Sequence, residues 1–497
     1  MAFDEMRDGA LARATYAEIT DWVERTPLDQ LQQKSAEAEL LFRRLGITFA
    51  VYGEGGDPER LIPFDIIPRI IAASEWRALS AGLEQRVRAL NAFLADIYNE
   101  QRILEAGIIP KALILENEAY QKHMVGFTPP GGIYTHISGI DMVRTGPDDF
   151  FVLEDNCRTP SGVSYMLENR EAMLRLFPKL CARHRLAPVN RYPEHLLATL
   201  KSVAPERAGP DPTVVILTPG SFNSAYYEHC FLADEMGVEV VEGRDLTVEN
   251  DVVLMRTTAG LKRVDVIYRR IDDEFLDPEC FREDSLVGVP GVMRAYKAGN
   301  VTLANAPGAG IADDKAIYPY VPEMVRFYLD EEPRLANVPT WLCEREEDRA
   351  TVLARLDELV VKLARGSGGY GMMIGPHADV ATRADFARRI TERPGDYIAQ
   401  PTLDLSTVPT VSAAGIAPRH VDLRPFILFG RDEITTVPGG LTRVALRPGS
   451  LVVNSSQGGG TKDTWVLEDA PAMAQSMGPE GMTQTMGGMT QVLGGNR

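Results

Sequence analysis

The chain has 497 residues, 44% hydrophobic and 25% charged, the composition of a large globular protein with more than one core. Seventy acidic residues against 52 basic ones leave a net charge of −18, which excludes a general nucleic-acid-binding or anionic-membrane surface. No apolar run approaches the roughly 20 residues that cross a bilayer, and the opening MAFDEMRDGA lacks a signal-peptide stretch.

Residues 1–110 are predicted to be mainly helical. Trp76, Leu79, Leu83, Val87, Leu90, Leu94 and Ile97 form one apolar stripe behind Ser74, a candidate N-cap. From 111 the texture becomes strand-like: KALILE at 111–116, then 133–144 and 150–155. TVVILT at 213–218, a helical stretch to Met236, Gly237 and a strand at 238–241 make one βαβ unit, the building block of a parallel sheet. Strand-like runs recur at 252–255, 264–268 and 301–305. After 310, helices are expected near 313–329, 346–359 and 383–391, and strands at 359–363, 397–400, 420–429, 433–437 and 451–453. The Met-, Gly- and Gln-rich residues 471–497 have no periodicity and read as a disordered tail. The chain thus divides near 110, 200, 310 and 470 into an α/β protein with a helical N-terminal region and a Rossmann-like part at 201–310.

The most informative segment runs from Ile137 to Asn156. If residues 146–149 form a four-residue hairpin loop, Thr145 pairs with Phe150, Asp141 with Glu154 and Gly139 with Asn156. Asp141, Glu154 and Asn156 then share a face, and two opposed carboxylates repel unless a cation lies between them. Two carboxylates and an amide oxygen suit Mg2+ carrying phosphate oxygens. An exposed acidic hairpin face has the same signature.

Lys362 sits on an apolar strand that runs into Gly366, Ser367, Gly368, Gly369, Tyr370 and Gly371. Such a loop lets backbone N–H groups approach phosphate, with the lysine supplying charge, although it is neither a Walker A motif nor GxGxxG. A second glycine run, 53–58, lacks a neighbouring lysine and reads as a loop. His136, His229 and His420 lie in unrelated contexts, and no GxSxG is present, so a zinc site or hydrolase triad is not expected. Cys157, Cys181, Cys230, Cys280 and Cys343 never form a CxxC, which points to a reducing compartment and, by default, the cytoplasm.

Together these pieces resemble the circularly permuted ATP-grasp family related to glutathionylspermidine synthase, over about residues 52–467. The motifs that usually end an ATP-grasp chain come first: Asp141 and Glu154-Asp155-Asn156, then Arg158-Thr159-Pro160-Ser161-Gly162. Lys315, Lys362 with its glycines, the hinge-like 397–400, Asp422-Leu423-Arg424, Arg443 and Asn454 follow.

The resemblance implies that Asp141, Glu154 and Asn156 hold Mg2+ on the ATP phosphates, which makes 111–200 the metal-binding part of the core and 311–470 the nucleotide-binding part. Lys315 and Lys362 would contact the α- and β-phosphates under the 366–371 loop, and Gln400 would face adenine. Arg424 and Arg443 would stabilise transition-state charge, helped by Arg158, and Asn454 would line the acceptor region. One departure stands out: glutathionylspermidine synthase has an arginine two residues before the metal-binding Asp, where this chain has Gly139. The implied function is ATP- and Mg2+-dependent carboxylate–amine ligation through an acyl phosphate, acting on small-molecule or peptide substrates, with a partner protein as one source of the acceptor. A phosphotransferase on the same scaffold, or a nucleotide-binding protein without turnover, are the alternatives.

Overall fold

The computed structural model describes residues 2–50, 59–366, 371–454 and 458–469, and the strands 474–478, 481–486 and 489–492. The glycine run at 53–58 lies outside the described residues, as do Ser367, Gly368, Gly369 and Tyr370.

A ten-stranded sheet runs through the molecule in the order Ala336–Asn337, Phe150–Asn156, Ile137–Arg144, Gly415–Arg424, Leu441–Val444, Gly460–Val466, Phe64–Ile71, with three strands off this path. Its two outer pairings are parallel, and the inner ones are antiparallel. A smaller antiparallel sheet, in the order Trp341–Leu342, Tyr397–Pro401, Leu359–Leu363 and Met373–Ile374, faces it. That sheet has its own core: Val352, Leu359 and Val361 packed with Phe386 and Ile390 from the helix Val380–Glu392. Residues of both sheets line one cleft between them. A four-stranded parallel sheet, ordered Thr302–Ala304, Val266–Arg269, Val214–Leu217 and Glu239–Val241, contains the expected βαβ unit, with the helix Tyr226–Met236 as crossover and Gly237 ending it at φ 66°.

The predicted apolar stripe is the buried face of one helix, Ala73–Tyr98. Its cap is not Ser74, which lies inside the first turn. Glu75 reaches back to accept the Ala72 N–H at 2.9 Å. KALILE is not a strand but a short helix, Lys111–Leu115, started by Pro110 and made of residues with good helix propensity. Residues 451–453 form no strand and instead line the cleft.

Phe64–Ile71 and Gly460–Val466 are among the strands of the main sheet that the sequence reading does not anticipate. Phe64–Ile71 contains Pro68, which argues against a central strand. Its parallel pairing to Gly460–Val466 is irregular between Lys462 and Thr464, and Pro68 falls in that irregular stretch, where no ladder N–H is required. The segment 471–497 is not without structure throughout: Ala474–Gly478, Gly481–Met486 and Met489–Val492 form an antiparallel ladder. Thr483 and Thr485, β-branched and two residues apart, favour a strand within this segment of low complexity. No helix among the described residues is long and apolar enough to cross a membrane.

Candidate active site

The hairpin of Ile137–Arg144 and Phe150–Asn156 brings Asp141 opposite Glu154 and Gly139 opposite Asn156, as the spacing predicts. The turn end differs. Phe150 pairs with Arg144 rather than Thr145, and Leu153 is an extra residue between the Glu154 and Val152 pairs. A five-residue connection and a one-residue bulge cancel, so the face carrying Asp141 keeps its register. Leu153 and Glu154 both line the cleft.

Asp141 is 1% exposed. Arg424 grips it in a fork, with Nη2 2.8 Å from Oδ2, and Arg443 Nη2 donates to the same oxygen at 2.6 Å. Burial alone would raise its pKa, but Arg424 and then Arg443 outweigh that and hold the carboxyl well below its usual range. Arg443 also donates through Nε to Asp422 Oδ1 at 3.0 Å. Asp422 and Arg443 face one another across adjacent strands, as do Gly139 and Phe426, which puts Arg424 beside Gly139.

That neighbourhood resolves the departure at Gly139. A Cβ at this position would lie 3.3 Å from Arg424 Cδ and 3.1 Å from Pro160 Cβ. The stem of Arg424 therefore fills the space that a side chain at 139 would take, and its guanidinium reaches Asp141 from the neighbouring strand.

Both lysines join this face. Lys315 Nζ lies 3.4 Å from Glu154 and donates to the Gly366 carbonyl at 2.6 Å. Lys362 Nζ donates to Gln400 Oε1 at 2.7 Å, and Gln400 passes a hydrogen bond to Thr340 Oγ1 at 3.0 Å. Burial pushes Lys362 down to about 8, with Glu154 opposing and Lys315 reinforcing the shift. The side chain of Gln400 is thus committed to a lysine rather than free for adenine. Beyond it, Pro401, Leu403 and Leu405 join Val338, Val360 and Ile374 as the apolar walls of a slot. Sequence reasoning missed these walls, because isolated Val and Leu residues carry no motif. Asp422 was visible in the Asp-x-Arg strand but had been given no role.

Asn454 and Gly366 line the cleft. Gly371 adopts φ 69°, and a Cβ there would lie 2.7 Å from Leu363 Cδ1, so glycine is required on both counts. Arg158 does not join the cleft. It pairs with Asp272 at 3.2 Å.

The donor set fits Mg2+. No three His, Cys, Asp or Glu side chains among the described residues group to hold a metal. Two carboxylates and an amide leave room for the water and phosphate oxygens that Mg2+ retains. Glu154 makes long ion pairs, 3.4 and 3.8 Å, and so has oxygen capacity for a cation, whereas the buried Asn156 Nδ2, without a hydrogen-bond partner among the described residues, is a donor suited to an anion's oxygen rather than to the metal.

Residues 68–445 match the circularly permuted ATP-grasp type 2 family. An uncharacterized protein of Synechocystis is 56% identical over 456 residues, covering 92% of this chain and 95% of that one. A Frankia alni protein with the provisional name glutamate–cysteine ligase 2-3 is 42% identical over 468 residues, 93% of this chain but 54% of its own length. Among solved structures, a glutathione synthetase-like effector of Globodera pallida superposes with a TM-score of 0.58 at 12% identity, covering 90% of this chain and 99% of that one.

Proposed function

The chain belongs to the circularly permuted ATP-grasp type 2 family, and on that footing we propose that its cleft is the active site of an ATP- and Mg2+-dependent carboxylate–amine ligase. The observation that carries this reading is the convergence of Lys315, Lys362, Arg424 and Arg443 on the Asp141–Glu154 face, at the end of an apolar slot. The provisional name of the Frankia relative describes an enzyme of the same bond-forming class, though for a chain with nearly as much again outside the match.

In this mechanism an oxygen of the substrate carboxylate attacks the γ-phosphorus of ATP. The bond to the bridging oxygen breaks, giving ADP and an acyl phosphate. An amine then attacks the acyl carbon, the C–N bond forms, phosphate leaves with the C–O electrons, and the nitrogen sheds its proton. The apolar slot lined by Val338, Leu403, Leu405, Val360 and Ile374 takes the adenine, while Lys315 and Lys362 take up phosphate charge. Arg424 and Arg443, held on Asp141 in the free enzyme, turn to the charge that develops on the transferred phosphoryl group and on the tetrahedral intermediate. Asp141, Glu154 and Asn156 would hold Mg2+, which would supply charge neutralisation at the phosphate oxygens. No step needs a covalent enzyme nucleophile. The reading without turnover loses its main support, since Arg424 brings a guanidinium to the place where Gly139 lacks one.

Thermal unfolding with Mg2+ and ATP, ADP, GTP or no nucleotide tests the reading. Adenine nucleotide at a hundred times its Kd is expected to stabilise the fold by about 2.7 kcal/mol, and GTP much less. A midpoint that no nucleotide moves would overturn it.

A further inference from the structure

The helix Ala73–Tyr98 carries Gly82 in its interior, a residue that weakens a helix and calls for a packing reason. A Cβ at Gly82 would lie 2.5 Å from Leu335 Cγ, so the helix rests directly on the residue that precedes the strand Ala336–Asn337. The same face fixes the approach to that strand. Gln85 Oε1 accepts from the Arg334 N–H at 2.8 Å, and Arg86, one turn beyond Gly82, donates through Nη1 to Asn337 Oδ1 at 2.8 Å.

The rest of the Arg86 guanidinium is given to Asp155. Its Nε and Nη2 donate to the two carboxylate oxygens at 2.6 Å each, a planar fork between side chains that are 4% and 0% exposed. Asp155 stands between Glu154 and Asn156, and strand alternation turns it to the opposite face from both. The fork resists rotation of the strand about its own axis, the motion that would swing Glu154 and Asn156 together.

Asn337 carries the connection to the slot. It lies beside Val152 across the parallel pairing, and its Nδ2 donates to the Tyr318 carbonyl at 2.9 Å. The Tyr318 hydroxyl accepts from the Val338 N–H at 2.7 Å and donates to the Val152 carbonyl. Arg86 itself lies over the Tyr318 ring, with Cζ 5.5 Å from the centroid. Val338 is a wall of the apolar slot, and Tyr318 follows Lys315 by three residues. Arg86 lines no part of the cleft, yet the segments bearing Glu154, Lys315 and Val338 all meet behind it on this one guanidinium.

Stability does not account for the arrangement, because apolar side chains of similar volume commonly match or better a buried ion pair. They cannot reproduce the directional hold of a fork. We propose that Arg86 is a positioning residue of the active site. It sets the separation between the slot that receives adenine and the strand that faces the phosphates, which one ATP molecule has to span. The inference rests on the ATP reading of the cleft and adds to it a residue that touches neither nucleotide nor metal.

The test is nucleotide binding to the full chain, read from unfolding midpoints over a range of ligand concentrations. AMP-PNP with Mg2+ spans both ends of the cleft, whereas adenosine occupies the slot alone. Arg86→Lys keeps the charge and loses the fork. Arg86→Met combined with Asp155→Leu removes both charges and leaves no buried charge uncompensated, so the double variant keeps the test open where a single one fails to fold. In each variant that folds, the Kd for AMP-PNP should rise about tenfold or more and that for adenosine less than about twofold, since the two ends still bind but no longer at one spacing. An AMP-PNP affinity that survives in the double variant overturns the inference. An equal loss for both ligands, the mark of a fold loosened as a whole, overturns it too. A wild type that neither ligand stabilises overturns the ATP reading itself.

Discussion

Gly139 and Arg424 behave as one unit, because the side chain absent from one strand is supplied by the next. The expected effect of Gly139→Ala follows from the geometry. The new Cβ, 3.3 Å from Arg424 Cδ and 3.1 Å from Pro160 Cβ, displaces the arginine stem by a few tenths of an ångström without unfolding the hairpin. ADP release should fall about tenfold, in keeping with the steep cost of misplacing a reacting group, while the unfolding midpoint stays nearly unchanged. A fully active Gly139→Ala enzyme would show that the position of Arg424 does not matter. Lys362 supplies a second test. Its pKa is pushed down to about 8 by burial, and a nearby polyphosphate restores the charged form. Nucleotide affinity should therefore weaken as pH rises above 8, and binding near pH 9 should take up roughly half a proton or more. Calorimetry in two buffers of different ionisation enthalpy measures this uptake, and Lys362→Met should remove it. Lys362 and the shared face of Asp141, Glu154 and Asn156 follow from local signals in the sequence, a charge on an apolar strand and two-residue alternation, whereas Lys315 alone reads as a surface lysine and takes a role only from the family resemblance. The pairing of Arg424 with Asp141 was not legible in the sequence, because it joins residues 283 positions apart.

At the scale of elements, legibility tracked how local the controlling contact is. The helix Ala73–Tyr98 and the βαβ unit follow from periodicity and turn residues within a single window. Phe64–Ile71 was hidden, because Pro68 is tolerated only where its distant partner Gly460–Val466 breaks register. The hairpin is the instructive case. The predicted loop was one residue too short, yet Asp141 and Glu154 still face one another, because the bulge at Leu153 compensates. The residue that sequence reasoning could not see is also one that the cleft uses as wall. Residues 451–453 carry the opposite lesson. Their Leu-Val-Val run has the composition of a strand, but no neighbouring strand pairs with them, and their apolar surface is spent on the slot.

At the scale of the whole molecule, a chain of buried charges ties the N-terminal segment to the active site. Glu5 is 1% exposed and accepts from Arg69 Nη2 at 2.6 Å and Nε at 2.9 Å, and from Ser406 Oγ at 2.6 Å. Arg69 Nη1 donates to the Asp422 carbonyl at 2.9 Å, and Asp422 in turn holds Arg443 against Asp141. Glu5 lies outside residues 68–445, the part that matches the family model. Burial would raise the Glu5 pKa, but Arg69 outweighs it and holds the carboxyl below its usual range. The sign follows: Glu5 contributes its stability above the ordinary carboxylate pKa, and that contribution fades as pH falls through the lowered folded value. Glu5→Ala leaves the Arg69 guanidinium buried without its counter-charge, which costs about 3–5 kcal/mol. At pH 7 the denaturant midpoint should drop accordingly, and the gap to wild type should narrow in strong acid. Because Arg69 also fixes the backbone of Asp422, the folded fraction of the variant should release ADP more slowly than wild type at saturating ATP. A variant that unfolds at the wild-type denaturant concentration would show that Arg69 is not left uncompensated when Glu5 is removed, and would overturn this account.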